Sequence, residues 1–100
     1  MSKPFRKTKP ITHRKLSDLR SVGPATISDL RLLGITTVEE LTGKDAQELY
    51  ERLCIRTGAT HDPCVIDVFQ AAIEQATDPS LERRKCNWWY WTKVRKQTLK

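Results

Sequence analysis

One hundred residues with 38% hydrophobic composition make one small domain with a modest core. No apolar run reaches the roughly eighteen residues of a membrane span, and the basic start MSKPFRKTKPITHRK lacks the apolar segment of a secretory signal, so a cytoplasmic protein is expected. The net charge of +6 is unevenly spread. Residues 1–20 and residues 81–100 each carry seven Lys or Arg against one acidic residue, while residues 21–80 carry four basic and ten acidic residues.

Residues 1–12 hold two prolines and four basic residues without a periodic apolar face, which predicts an extended basic arm. Leu16, Leu19 and Val22 recur at spacing three and predict a short first helix that Gly23 breaks. Pro24 then suits the first turn of a second helix, with Ile27, Leu30 and Leu33 as its apolar stripe and Gly34 as its C-terminal cap. Thr37-Val38-Glu39-Glu40 reads as a capping box opening a short helix through Leu41. Asp45 and Glu48 repeat that signal. Ala46, Leu49, Tyr50, Leu53 and Cys54 share one face of the next helix, and Gly58 ends it. Asp62-Pro63 starts another helix, striped by Val65, Val68, Phe69, Ala72 and Ala76 and stopped at Asp78-Pro79. The remainder, SLERRKCNWWYWTKVRKQTLK, predicts a helical turn followed by an aromatic and basic tail. No segment predicts a strand. The expected organisation is an arm over 1–12, an all-α domain over 13–78 and a tail over 79–100 packed on or flanking it.

The turn between the first two helices exposes backbone N–H groups at a helix start, where the dipole favours an anion. A glycine there allows close approach of a phosphate. LRSVGPATISDLRLLGITTVEEL resembles the helix-hairpin-helix element, which holds the DNA backbone in many repair and recombination proteins. Val22-Gly23, Ile27, Leu30, Gly34-Ile35 and Thr37 carry the resemblance. Ser21 stands where the first glycine of the pattern is expected, and Ala25 where a phosphate-facing lysine is common. Both departures argue for weaker binding than in the best members.

The resemblance implies a compact four- to five-helix (SAM-domain-like) fold with one good hairpin. The helices spanning Asp45–Thr57 and Pro63–Ala76 would form a degenerate second pair. The hairpin also resembles the C-terminal domain of TfoX-type competence regulators. CIRTGATHDPCVIDVFQAAIEQA, followed by NWWYW and a basic end, is similar to a small bacterial family associated with a pathogenicity locus and labelled in part mitomycin resistance. That similarity covers most of residues 13–96 and implies the fold and a bacterial origin, with no activity beyond the hairpin.

Other residues suggest chemistry. Cys54, His61, Cys64 and Cys86 offer four metal-ligand types, but Cys54 lies on an apolar face and free cysteines are commonly buried. Three cysteines, an odd number, point to free thiols. No metal and no cofactor is expected. Cys64 near a helix start raises the idea of an activated thiol; no third orienting group accompanies it and His61. A DNA glycosylase is the enzyme alternative, yet Glu39, Glu40 and Asp45 read as caps or solvated groups and the chain is too short for a base-flipping pocket. Trp88, Trp89 and Trp91 either anchor the tail on the core or stack on exposed bases beside Lys93, Arg95 and Lys96.

The expectation is a non-enzymatic module that binds the DNA backbone without sequence preference, through Arg20, Ser21, Val22, Gly23, Ala25, Thr26 and Arg31. The basic ends add long-range attraction. The competing reading is a small protein-docking domain without DNA contact, favoured if the basic arms lie away from Gly23. A monomer or weak dimer without membrane contact is expected in either case.

Overall fold

In a computed structural model that describes residues 14–98, the chain forms α1 (Pro24–Leu32), α2 (Ala46–Thr57), α3 (Cys64–Thr77) and α4 (Trp88–Thr98). Three single 3-10 turns, Leu16–Asp18, Glu39–Leu41 and Arg83–Cys86, connect or precede them, and there is no strand among the described residues. The protein is all-α. The expected arm over residues 1–12 lies outside the described residues.

Local chemistry sets the boundaries. Gly34, at φ +84°, closes α1: its N–H donates to the Arg31 carbonyl (2.9 Å) and the Ile35 N–H to the Leu30 carbonyl (2.9 Å). Leu30 and Ile35 are both buried, so the cap carries its hydrophobic contact. Thr37 and Glu40 form a reciprocal box: the Glu40 N–H donates to Thr37 Oγ1 (3.3 Å) and the Thr37 N–H to Glu40 Oε1 (3.1 Å). Asp45 Oδ1 accepts the Glu48 N–H at 3.1 Å to start α2, and Asp62 Oδ1 accepts the Cys64 N–H at 2.8 Å to start α3.

The core gathers Leu30 of α1, Leu41 of the linking turn, Leu49 and Leu53 of α2, and Phe69 of α3, all essentially inaccessible. α3 is the central element and packs against both α2 and α4. Its burial therefore runs around several faces: Asp67, Ala71 and Gln75 are buried as well as Phe69, Ala72 and Ile73. Ala71 and Ala72 allow neighbouring helices to approach closely.

Two elements differ from the sequence reading. The first helix reduces to the turn Leu16–Asp18, because Leu19 is extended (φ −82°, ψ 140°). Leu16 lies on that turn, and the extended chain after it still carries Leu19 and Val22 into the core. The aromatic and basic tail, expected after a single helical turn, is itself a helix, α4, laid against α3.

Candidate functional site

Leu19 and Val22 are buried and fix the two ends of a surface turn that exposes Arg20. Ser21 adopts φ +71°, the left-handed backbone that glycine takes most easily. Gly23 is extended (φ −103°, ψ −176°), a conformation open to any residue, and a Cβ added there meets nothing within 4 Å. Neither backbone nor internal packing demands a glycine at 23; its missing side chain leaves open space on the outside of the turn. Pro24 begins α1, and the Gly23 carbonyl accepts the Ile27 N–H at 3.0 Å. The N–H groups of Gly23, Ala25 and Thr26 have no partner among the described residues. They stand at the positive end of the α1 dipole.

Arg20 and Arg31 are exposed on either side of these groups in sequence. Arg31 also lines an open groove of about 380 Å³ with Arg14, Lys15, Ser17 and Ile27. Arg14 is partly committed elsewhere: its guanidinium donates to the Gln75 and Ala76 carbonyls at 3.0 and 3.3 Å, neutralising the C-terminal end of α3.

From beneath, Gln75 holds the turn. Its Oε1 accepts the Arg20 N–H at 2.9 Å, and its Nε2 donates to the carbonyls of Arg20 (2.9 Å) and Ala71 (3.1 Å). From the side, Ser21 holds the tail. Its hydroxyl donates to the Cys86 carbonyl at 3.1 Å and accepts the Trp88 N–H at 3.0 Å, so it caps the start of α4. Serine at the position where the sequence pattern expects glycine keeps the left-handed backbone and adds a hydroxyl that a glycine lacks.

α4 is anchored further along by Asp67. This carboxylate is 2% exposed; it accepts from Arg95 Nε (2.8 Å), Arg95 Nη2 (3.1 Å) and the Thr92 hydroxyl (2.6 Å). The arginine's proton is held more tightly still by its bond to Asp67. Arg95 therefore serves the fold rather than forming part of a free basic tail. Trp91 is half-buried and donates its indole N–H to the Lys85 carbonyl at 2.7 Å. Trp88 and Trp89 are 38% and 48% exposed. Lys93 and Lys96 are exposed, and the Lys93 ammonium lies 6.0 Å from the centre of the Trp89 ring.

The remaining candidates form no reactive centre. Cys54, Cys64 and Cys86 are free, half-buried thiols. The hydrogen bond with Asp62 and burial push the Cys64 thiol up, which favours its protonated form. His61 Nε2 lies 2.8 Å from Thr57 Oγ1, and its carbonyl accepts the Tyr50 hydroxyl. Among the described residues no group of three His, Cys, Asp or Glu side chains is placed to hold a metal. No helix among them is long and apolar enough to cross a membrane.

Gln75 and Asp67 are the residues that sequence reasoning missed. Their signal is the i, i+4, i+8 row Asp67-Ala71-Gln75, one face of α3. Polar groups at both ends made that row look solvated, whereas it is where the turn and α4 dock.

The architecture is thus that of a small all-α protein with a Gly-Pro helix start held open at its surface. The chain belongs to the Cdd1 family, described as "Pathogenicity locus", which it matches over residues 10–97. It is also 36% identical over 84 residues to a protein named mitomycin resistance protein McrB from Streptomyces lavendulae, the match spanning 84% of this chain and 76% of that one. No solved structure matches the chain.

Proposed function

We propose that this protein is a non-enzymatic module of helix-hairpin-helix type that holds the DNA phosphate backbone without reading sequence. The observation that carries the reading is the trio of N–H groups at Gly23, Ala25 and Thr26, which have no partner among the described residues, beside the open space at Gly23. Backbone donors at a helix start suit a phosphate oxygen and carry no base information. Arg20, exposed three residues before Gly23, supplies charge on the turn, and Arg31, exposed in the last turn of α1, adds longer-range attraction. The left-handed Ser21 supports the hairpin assignment, because it preserves the turn that a glycine makes in the resembled pattern. The bonds of Ser21 to the Cys86 carbonyl and the Trp88 N–H favour DNA over a protein-docking role, since they bring the basic turn Arg83–Cys86 to the hairpin.

Fluorescence anisotropy with labelled duplex DNA tests this. Affinity should fall steeply with salt, vary little among duplex sequences, and drop at least about tenfold in Gly23→Asp, whose carboxylate occupies the phosphate's place. A strong preference for one sequence, or unchanged affinity in Gly23→Asp, overturns the reading.

A further inference from the structure

The start of α4 shares one hydroxyl with the turn, and the two residues that open the helix are exposed tryptophans. Thr92 and Arg95 face α3 through Asp67, and Trp91 is held by the Lys85 carbonyl. Trp89, Lys93 and Lys96, at i, i+4 and i+7, share an exposed stripe beside that contact face. This stripe places one tryptophan beside two lysines, and α4 carries no acidic residue. The preceding turn, Arg83–Cys86, adds three more basic residues. Phe69 is fully buried in the core, whereas Trp88 and Trp89 each keep more than a third of their surface in water, where indole surface is costly to leave uncovered.

We infer that this face takes unpaired bases, so that the protein's preferred ligand is DNA in which a single strand leaves a duplex. The inference rests on the proposed backbone role of the Gly23 turn. The turn holds duplex phosphates. Trp88 and Trp89 then offer flat surfaces on which the departing bases stack, and Lys93 and Lys96 follow the backbone. Charge complementarity selects a polyanion, and the exposed rings select one whose bases are free of pairing, because a duplex hides its base faces. Ser21 makes the two surfaces one: its hydroxyl fixes the start of α4, and with it Trp88, to a residue two positions before Gly23.

The test compares three labelled DNAs by anisotropy: a blunt duplex, and the same duplex with a 3′ or a 5′ single-stranded extension. The full chain is used, with Trp89→Ala, Trp89→Phe and Gly23→Asp alongside. An extended DNA should bind about 5- to 150-fold tighter than the blunt duplex, the range expected from one stacked base. Trp89→Ala should remove that preference and leave blunt-duplex affinity unchanged, which also shows that the variant is folded. Trp89→Phe should restore most of it. Equal affinity for blunt and extended DNA, or a preference that survives Trp89→Ala, overturns the inference while leaving the backbone reading intact if Gly23→Asp still abolishes binding. Binding to none of the three DNAs overturns both.

Discussion

Gln75 and Arg20, fifty-five residues apart, close a two-way pair: the Arg20 N–H donates to Gln75 Oε1, and Gln75 Nε2 donates back to the Arg20 carbonyl, both at 2.9 Å. One side-chain amide thus satisfies both backbone groups of a turn residue, as a strand neighbour would. Gln75→Ala leaves those groups and the Ala71 carbonyl without this partner, and the stability loss should be about 2 kcal/mol. Urea denaturation measures it. Amide exchange at Arg20 should speed up by more than the global loss accounts for if the pair is what orders the turn.

The Asp67–Arg95 pair should show the asymmetry of a buried charge. Arg95→Ala strands a carboxylate that is 2% exposed, at a cost of about 3–5 kcal/mol. Asp67→Ala should cost less, because Arg95 is 22% exposed and can turn its head to water. The double variant should be milder than the sum of the two. A double-mutant cycle in urea reads the coupling directly.

Ser21 separates two effects that a single substitution confuses. Ser21→Ala keeps the left-handed strain and removes both hydroxyl bonds, for a loss of about 1–2 kcal/mol. Ser21→Gly removes the same bonds but relieves the backbone, so its loss should be smaller. Thermal melts rank the two variants; Ser21→Gly as the less stable would contradict the left-handed strain, and no loss in either variant would contradict the bridge.

Glu40 and Asp62 set the acid limb of stability. The N–H groups of Thr36 and Thr37 hold the Glu40 carboxyl below its usual range, and the Cys64 N–H does the same for Asp62. A carboxyl lowered on folding stabilises the native state above its unfolded pKa, which is about 4. That contribution disappears as pH falls through the lower, folded value. Glu40→Gln should therefore be less stable at neutral pH and flatter between about pH 5 and pH 3 than the parent. Urea midpoints across that range provide the check.

Cys64 should react slowly. Its thiol is held protonated by Asp62 and by burial, so thiolate-dependent labelling at neutral pH should proceed more slowly than for an ordinary exposed cysteine. Comparing thiol-reagent kinetics of the parent and Cys64→Ser isolates its phase; Asp62→Asn should speed it.

Much of the fold is legible in the residues themselves, where signals are local. Gly34 and Gly58 take left-handed backbone at the ends of α1 and α2, and Asp45 and the Thr37–Glu40 box make their capping bonds. These depend on residues within five positions of one another. The missed features depend on distant ones. Leu16, Leu19 and Val22 are equally compatible with a helix and with a 3-10 turn followed by extended chain, and the extended form is held at Arg20 by Gln75, fifty-five residues on. Asp67 looks solvated until Arg95 is known to meet it twenty-eight residues later. The exposed aromatics of α4 are likewise readable as composition, while their tie to the turn depends on one hydroxyl.

The shared hydroxyl of Ser21 also bears on how the chain assembles. Charge divides the sequence into an acidic body and a basic tail, and a cut after Asp78 respects that division. Such a cut would strip Asp67 on α3 of its arginine and threonine, and Ser21 in the surface turn of both partners. The last helix is therefore a closing piece, with loops of more than sixty residues completed only when it docks. Ordering that many residues before the contact forms delays it. Body and tail should then melt in a single cooperative transition, with the turn acquiring its final shape in the last step of folding.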